Sequence, residues 1–151
     1  MTDIVIARAR ADQPAIRALI EQLDRYLHSL YPAESNHLLP IDQLLAPNVR
    51  FLAAQRGGAI LGIGAVLLRE GYGEIKRVYV PPSARGQGIA RRLIEALVEE
   101  ARDARLPLLR LETGIHQPEA LALFRAHGFR QIGPFGDYAT DPLSVFMERR
   151  L

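Results

Sequence analysis

The chain contains no cysteine. That excludes disulfides, a thiolate nucleophile and cysteine-ligated metal together. It also lacks any apolar run long enough to span a bilayer. Its N-terminus, Met1-Thr2-Asp3-Ile4-Val5, has no basic stretch followed by an apolar one, so no signal peptide is expected and a cytoplasmic location is the default. There is no long basic block either. Arg91-Arg92 and Arg149-Arg150 are short pairs, and no basic face with aromatics between them argues for nucleic acid. Among His28, His37, His116 and His127, no two have i, i+4 spacing with a carboxylate between them, so no metal site is expected.

What remains is an ordinary globular composition. The 151 residues are 48% hydrophobic and 24% charged, which suits one domain over residues 1–151 with its own core. Net charge is +2 and the pI about 9.3, a modest excess that suits a small polyanionic ligand.

The most informative stretch runs from Val78 to Leu93. Val78-Tyr79-Val80 are good strand residues, and Pro81-Pro82 ends the strand because proline gives no N–H to a ladder. From Ile89 the apolar positions Ile89, Leu93, Ala96, Leu97, Ala101 and Ala104 fall at helical spacing. Between strand and helix lies Arg85-Gly86-Gln87-Gly88-Ile89-Ala90. A helix N-terminus presents unpaired N–H groups and partial positive charge. Gly86 and Gly88 let a ligand approach the backbone and can take positive φ. The expectation is a phosphate cradle, with Arg85 as the best phosphate contact. Because adjacent helix residues point about 100° apart, only one of Arg91 and Arg92 is expected to reach a second phosphate. Two other phosphate loops do not fit: a P-loop needs Lys-Ser/Thr after its last glycine, and a dinucleotide fingerprint needs a small residue where Arg91 stands.

Along the rest of the chain, Asp3–Ala9 reads as a strand. A helix follows with Asp12 as N-cap, Pro14 in its first turn and Ile16, Leu19, Ile20, Leu23 and Leu27 on one face. Residues Ala33–Pro40 are loop-like, and Ile41–Leu45 reads as a short helix. Arg50–Gln55, Ala59–Leu68 and Glu74–Val80 read as three strands of an antiparallel meander, with turns at Arg56-Gly57-Gly58 and Gly71-Tyr72-Gly73. After the helix at residues 88–104 come a strand (Leu106–Glu112), a helix from His116-Gln117-Pro118-Glu119 to the C-cap Gly128, and strands at Phe129–Ile132 and Leu143–Arg149.

This order, β-α-α-β-β-β-α-β-α-β-β, with Arg85-x-x-Gly88-x-Ala90 and Leu123-Phe124-Arg125-Ala126-His127-Gly128-Phe129, resembles the GNAT N-acetyltransferase superfamily over nearly the whole chain. The resemblance implies an α/β (α+β) fold: a central mixed, mostly antiparallel sheet of about seven strands flanked by about four helices. It also implies that the fourth and fifth strands splay apart to hold acetyl coenzyme A, the acyl-donor substrate, for direct transfer of acetyl to a primary amine in a ternary complex. On that reading the donor contacts are Val78, Tyr79, Val80, Arg85, Gly86, Gln87, Gly88, Ile89, Ala90, Arg91, Gln117 and Phe124. Gln117 stands where the family often has an asparagine.

Acetyl transfer to an amine needs a base, a polarised carbonyl and a stabilised leaving thiolate, and no covalent enzyme intermediate. Glu74 is the base candidate, about 20 Å from Val80 if extended and thus suited to the mouth of the cleft; its ordinary alternative is a surface pair with Lys76. The family often has a tyrosine as acid where this chain has Phe124, which cannot donate a proton, so Tyr138 and Tyr79 are the substitutes considered and Tyr138 is preferred. Tyr31, Glu34 and His37, with Asn36, fall where the family builds its acceptor wall. The expected acceptor is a small-molecule or protein amine, with no nucleic acid or membrane, and exposed edge strands invite pairing into a homodimer. The missing tyrosine keeps a second reading open, a coenzyme A-binding regulatory or protein-interaction module with little catalysis. Transfer to oxygen, or of a longer acyl chain, is a third.

Overall fold

A computed structural model describes residues 3–151; Met1 and Thr2, the start of the segment read for a leader, lie outside the described residues. The elements are β1 (Val5–Arg8), α1 (Pro14–Leu30), α2 (Ile41–Leu44), β2 (Val49–Arg56), β3 (Ala59–Leu68), β4 (Gly73–Tyr79), α3 (Ile89–Asp103), β5 (Leu108–Gly114), α4 (Pro118–Ala126), β6 (Arg130–Ile132) and β7 (Ser144–Arg150). The strands form a seven-stranded sheet in the order β1-β2-β3-β4-β5-β7-β6. Every pairing is antiparallel except β4 with β5. The sheet and its four helices are those the element order implied.

Period-two alternation splits the core into two layers. On β2, Phe51 and Ala53 turn to the cluster built on Ile16, Leu19, Ile20 and Leu23 of α1 and Leu44 of α2. Leu52 and Ala54 turn to the other face, where Leu93, Ile94, Leu97 and Val98 of α3 and Phe124 of α4 pack. Gly62 and Gly64 of β3 lie under α3: a Cβ at Gly62 would sit 3.0 Å from Ile89, and one at Gly64 3.2 Å from Leu97.

Some sequence expectations need correction. Gln13, not Asp12, caps α1, and it makes no side-chain cap bond. The Asp12 carboxylate instead accepts from Arg10 at 3.0 and 3.1 Å; Pro14 does occupy the first turn. Strand β5 starts two residues later than expected, after Pro107, which has no N–H for a ladder. It also runs two residues further, because Thr113 and Gly114 still pair with Val145 and Ser144 of β7.

Two irregularities in β4 create the site. Its parallel pairing with β5 covers only Gly73↔Leu109, Glu74↔Arg110 and Ile75↔Leu111, although β4 continues to Tyr79 and β5 to Gly114. Beyond Ile75 the two strands diverge. The register against β3 also shifts, from Ala65↔Lys76 to Ile63↔Tyr79, so three steps of β4 face two of β3: a β-bulge. Arg77 sits in it at φ 62°, an unusual value for a residue with a long side chain. Its buried guanidinium is held by the Asp24 carboxylate of α1 and, at 2.8 Å, by the Leu39 carbonyl.

Candidate active site

The divergence of β4 and β5 opens a cleft of about 130 Å³. Ile75–Val78 of β4 and Leu111–Gly114 of β5 form its sides. Gln117, the N-cap of α4, with Ala120 and Phe124 of that helix form one wall, and Leu23, Leu27 and Tyr31 with the segment Ser35–Leu39 form the opposite one.

The loop Gly86–Gly88 lies past the C-terminal end of β4. Gly86 (φ 83°) and Gly88 (φ 75°) are both left-handed, a conformation that disfavours a Cβ. A Cβ at either would meet no atom within 4 Å, so space above the loop is open. Gly88 caps α3 without a side-chain bond. Among the described residues, no protein acceptor takes the N–H groups of Gly86, Gln87 or Gly88. Together with the free N–H groups of the first turn of α3, these form a cup of donors facing solvent. The residues present therefore fit a diphosphate. Gln87 contributes through its backbone alone: its amide nitrogen donates to the Ala84 carbonyl at 3.2 Å and its amide oxygen accepts from Arg56 at 2.8 Å. Arg85 spends its Nε on the Val80 carbonyl at 3.0 Å. Arg91 is exposed, Ile89 is buried in the core, and Ala90 is half-buried.

Val78 lines the cleft; Val80 is half-buried with its carbonyl already engaged. Tyr79 belongs to the α1-side cluster, on the opposite face of the sheet, where burial raises its pKa. Phe124 lines the cleft and packs edge-on to Phe129, 5.5 Å between ring centres. The hydroxyl of Tyr31 donates to the Gln117 amide oxygen at 3.1 Å and accepts from the His116 N–H at 3.1 Å. It thereby ties α1 to the start of α4, and burial raises its pKa.

Glu74 and Tyr138 meet, 64 residues apart in sequence. The Tyr138 hydroxyl donates to Glu74 Oε2 at 2.5 Å and accepts from Lys76 Nζ at 2.5 Å. Glu74 is 2% exposed and also receives Arg69 at 3.2 Å. The expectation of a carboxylate at the cleft mouth is corrected accordingly. Glu74 does not line the cleft but lies behind Lys76, which does. The expected surface pair with Lys76 is a buried contact of 3.5 Å. Burial, reinforced by the Glu74 hydrogen bond and charge, holds the Tyr138 phenol well above its ordinary 10.0, so it stays protonated. Burial lowers the Lys76 pKa, with Glu74 opposing that shift.

A second polar group was not legible beforehand. His37 Nδ1 lies 2.7 and 2.9 Å from the two oxygens of Glu112, and Ser144 Oγ donates to the same carboxylate at 2.8 Å. Ser35 Oγ donates to Asp141 at 2.7 Å, joining the segment before α2 to the one before β7. That bond and the Leu143 N–H lower the Asp141 pKa. Glu34 is exposed and does not line the cleft. Glu112 carried only its place at the end of the expected strand, where Arg110 is equally polar. Ser144, Ser35 and Asp141 carried none, because their partners are 32 and 106 residues away.

The acetyltransferase (GNAT) family model matches residues 16–129. An IAA acetyltransferase of Azospirillum brasilense is 52% identical over 153 residues, covering 100% of both chains. Among solved structures, a protein of Klebsiella pneumoniae described as an acyl-CoA N-acyltransferase superposes with a TM-score of 0.83 at 39% identity, covering 98% of this chain and 97% of that one. The PaiA N-acetyltransferase of Thermoplasma acidophilum, solved in complex with coenzyme A, shares the fold at TM-score 0.75 and 16% identity, over 99% of each chain.

Proposed function

We propose, for a chain that belongs to the acetyltransferase (GNAT) family and is an N-acetyltransferase with acetyl coenzyme A as donor, that the donor lies along the gap between β4 and β5. Its diphosphate would rest on the N–H groups of Gly86, Gln87 and Gly88 and the first turn of α3, with Arg85 and Arg91 at the rim. Its arm would enter beside Val78, against Gln117 and Phe124. The acceptor amine would approach from the side of Tyr31 and His37. One domain, residues 1–151, suffices for this arrangement. The observation that carries the reading is the early end of the β4–β5 ladder: it leaves unpaired backbone at Val78 directly upstream of a cup of free N–H groups.

Transfer would be direct. The chain has no cysteine, and the cleft serines, Ser35 and Ser144, both donate their protons to carboxylates. The chain's groups would act chiefly by holding donor and acceptor together and by managing protons. Lys76 stands at the cleft wall with a cationic group, where negative charge on a departing sulfur would be stabilised. Tyr138, held protonated behind it, accepts from Lys76 and donates to Glu74, so it would aim the lysine at the cleft rather than supply it with a proton. Glu74 orients both. The acceptor is a small-molecule or protein amine; because the Azospirillum relative is named for IAA, IAA belongs in any acceptor panel.

The test is calorimetric titration of acetyl coenzyme A, followed by thiol release with a panel of amines and IAA. The wild-type protein should bind and turn over. Gly88→Glu, which adds bulk and negative charge to the cup, should lose donor binding by at least ~100-fold, since it sets a carboxylate against a diphosphate. Gly88→Asn, which tolerates left-handed backbone, should keep the melting temperature and so separate strain from site loss. Unchanged donor affinity in Gly88→Glu would remove the placement.

A further inference from the structure

We propose that His37 is the base of the reaction and that Glu112 is the residue that positions it. The inference rests on the reading that acetyl passes to an amine in this cleft; it names the group that takes the proton.

Geometry selects His37. A carboxylate only accepts hydrogen bonds, so the contacts of 2.7 and 2.9 Å from Glu112 assign the ring proton to Nδ1. The lone pair is then on Nε2, for which the described residues offer no partner. Glu112 is itself fixed by Ser144 Oγ at 2.8 Å, and its side chain is 9% exposed, whereas that of His37 is 36% exposed. Both residues line the cleft. The result is an accessible imidazole oriented by a half-buried carboxylate, which is in turn oriented by a hydroxyl.

The loop that carries His37 is pinned on several sides. Lys76 Nζ donates to the His37 carbonyl at 3.0 Å, and the Tyr138 ring meets the imidazole edge-on at 5.2 Å. Two residues upstream, Ser35 is tied to Asp141, and Asn36 donates to the Tyr31 carbonyl at 3.3 Å. The charged or titratable groups facing His37 are therefore Glu112 from β5, Lys76 from β4, and Tyr138 and Asp141 from the loop before β7. Glu74 is the inferior candidate on geometry. It is buried behind Lys76, and Tyr138, Arg69 and Lys76 all direct protons at its carboxylate.

The proton count closes. An ammonium acceptor first gives one proton to His37 Nε2, freeing the nitrogen lone pair. That pair forms the bond to the acetyl carbon, while the bond from that carbon to sulfur breaks and its electron pair leaves on sulfur. The new amide nitrogen sheds its second proton, the sulfur takes one to become a thiol, and one proton goes to solvent.

The test has two arms. Long-range proton–nitrogen NMR of the full chain reads the His37 tautomer with no acceptor needed. The expected state is Nδ1–H with bare Nε2, shifting in Glu112→Gln; an Nε2–H tautomer would overturn the proposal. Kinetically, His37→Ala should lower kcat by at least ~100-fold, the usual worth of a general base, with acetyl coenzyme A affinity unchanged. Added imidazole should restore part of the rate, a rescue that a purely structural role would not show. Glu112→Gln should reduce kcat less and shift its pH profile. Full activity in His37→Ala with the wild-type pH profile would sink the base assignment alone, whereas failure of the wild-type protein to bind acetyl coenzyme A would sink the donor site instead.

Discussion

The two halves of the cleft, proposed for donor and for acceptor, are built from different material. The donor half is main chain: two left-handed glycines, a helix N-terminus and strand backbone freed where β4 leaves β5. Its side chains face inward, as with Ile89, or brace the loop, as with Gln87. The acceptor half is side chain: His37 on Glu112, Ser35 on Asp141 and Tyr138 on Glu74, each joining distant segments, with Tyr31 on Gln117 where the two halves meet. A backbone site recognises what is common to every donor molecule. A side-chain site is free to be redrawn for each acceptor without disturbing the sheet. Substitutions should therefore sort by half, with donor affinity and acceptor turnover failing separately.

The largest break in that comparison should come from Gly114→Ala. A Cβ there would sit 1.9 Å from the Tyr31 hydroxyl and 2.2 Å from its ring. The ring cannot yield without losing Gln117 and His116. The expected cost is about 3 kcal/mol of stability, as for an overpacked core, with acceptor KM raised and donor affinity falling far less than in Gly88→Glu, since only the Gln117 contact is disturbed. That is the mirror image of Gly88→Glu. Denaturant melts and separate titrations of the two substrates check it; loss of donor binding alone would show that the halves are not separable.

Glu74→Gln should do less. It leaves Lys76 buried without its counter-charge, but an amide still accepts from Tyr138. A loss of about 2 kcal/mol is expected, below the range for a fully orphaned buried ion. Turnover should fall far less than in His37→Ala. A folded Glu74→Gln protein slower than His37→Ala would return the base to β4.

The same division explains what could be read from the chain. The donor half follows from local signals: Pro81-Pro82 ends a strand, Gly86 and Gly88 mark left-handed turns, and Ile89, Leu93 and Leu97 mark a helix starting there. The apolar faces of α1 and α3 followed from periodicity. The acceptor half depends on which loops the sheet order brings together. Strand β5 lies between β4 and β7, which sets Glu112 beside Ser144, while the contacts of Lys76, Ser35 and Asn36 bring the His37 loop within reach. Glu74 was singled out from its place on the strand, but its burial comes from Tyr138 and Arg69 folding over it, which no spacing announces. The bulge at Arg77 was equally hidden, because nothing in the sequence marks an arginine for positive φ. Asp12 misled for the opposite reason: it is a good cap by type, but Arg10 competes for it locally.

The smallest effect expected is in the pH dependence of Tyr138→Phe. Burial and the Glu74 carboxylate hold this phenol's proton in the folded state beyond the ordinary value of 10.0. Below pH 10 both folded and unfolded chains keep the proton, and the raised value contributes its full stabilisation. Above it the unfolded chain releases the proton while the folded chain retains it, so stability falls as pH rises, by up to about 1.4 kcal/mol per pH unit from this group. Lys76 works in the other sense, its lowered pKa making stability rise with pH up to its ordinary 10.5. The raised phenols of Tyr31 and Tyr79 add their own slope, common to both proteins. Tyr138→Phe should lose about 1 kcal/mol at pH 8 from its two hydrogen bonds. The gap to wild type should then narrow above pH 10, close, and reverse by about pH 11 in urea melts. A gap constant across that window would mean that the hydroxyl titrates as if in water, and that the side chains of the acceptor half do not enclose it.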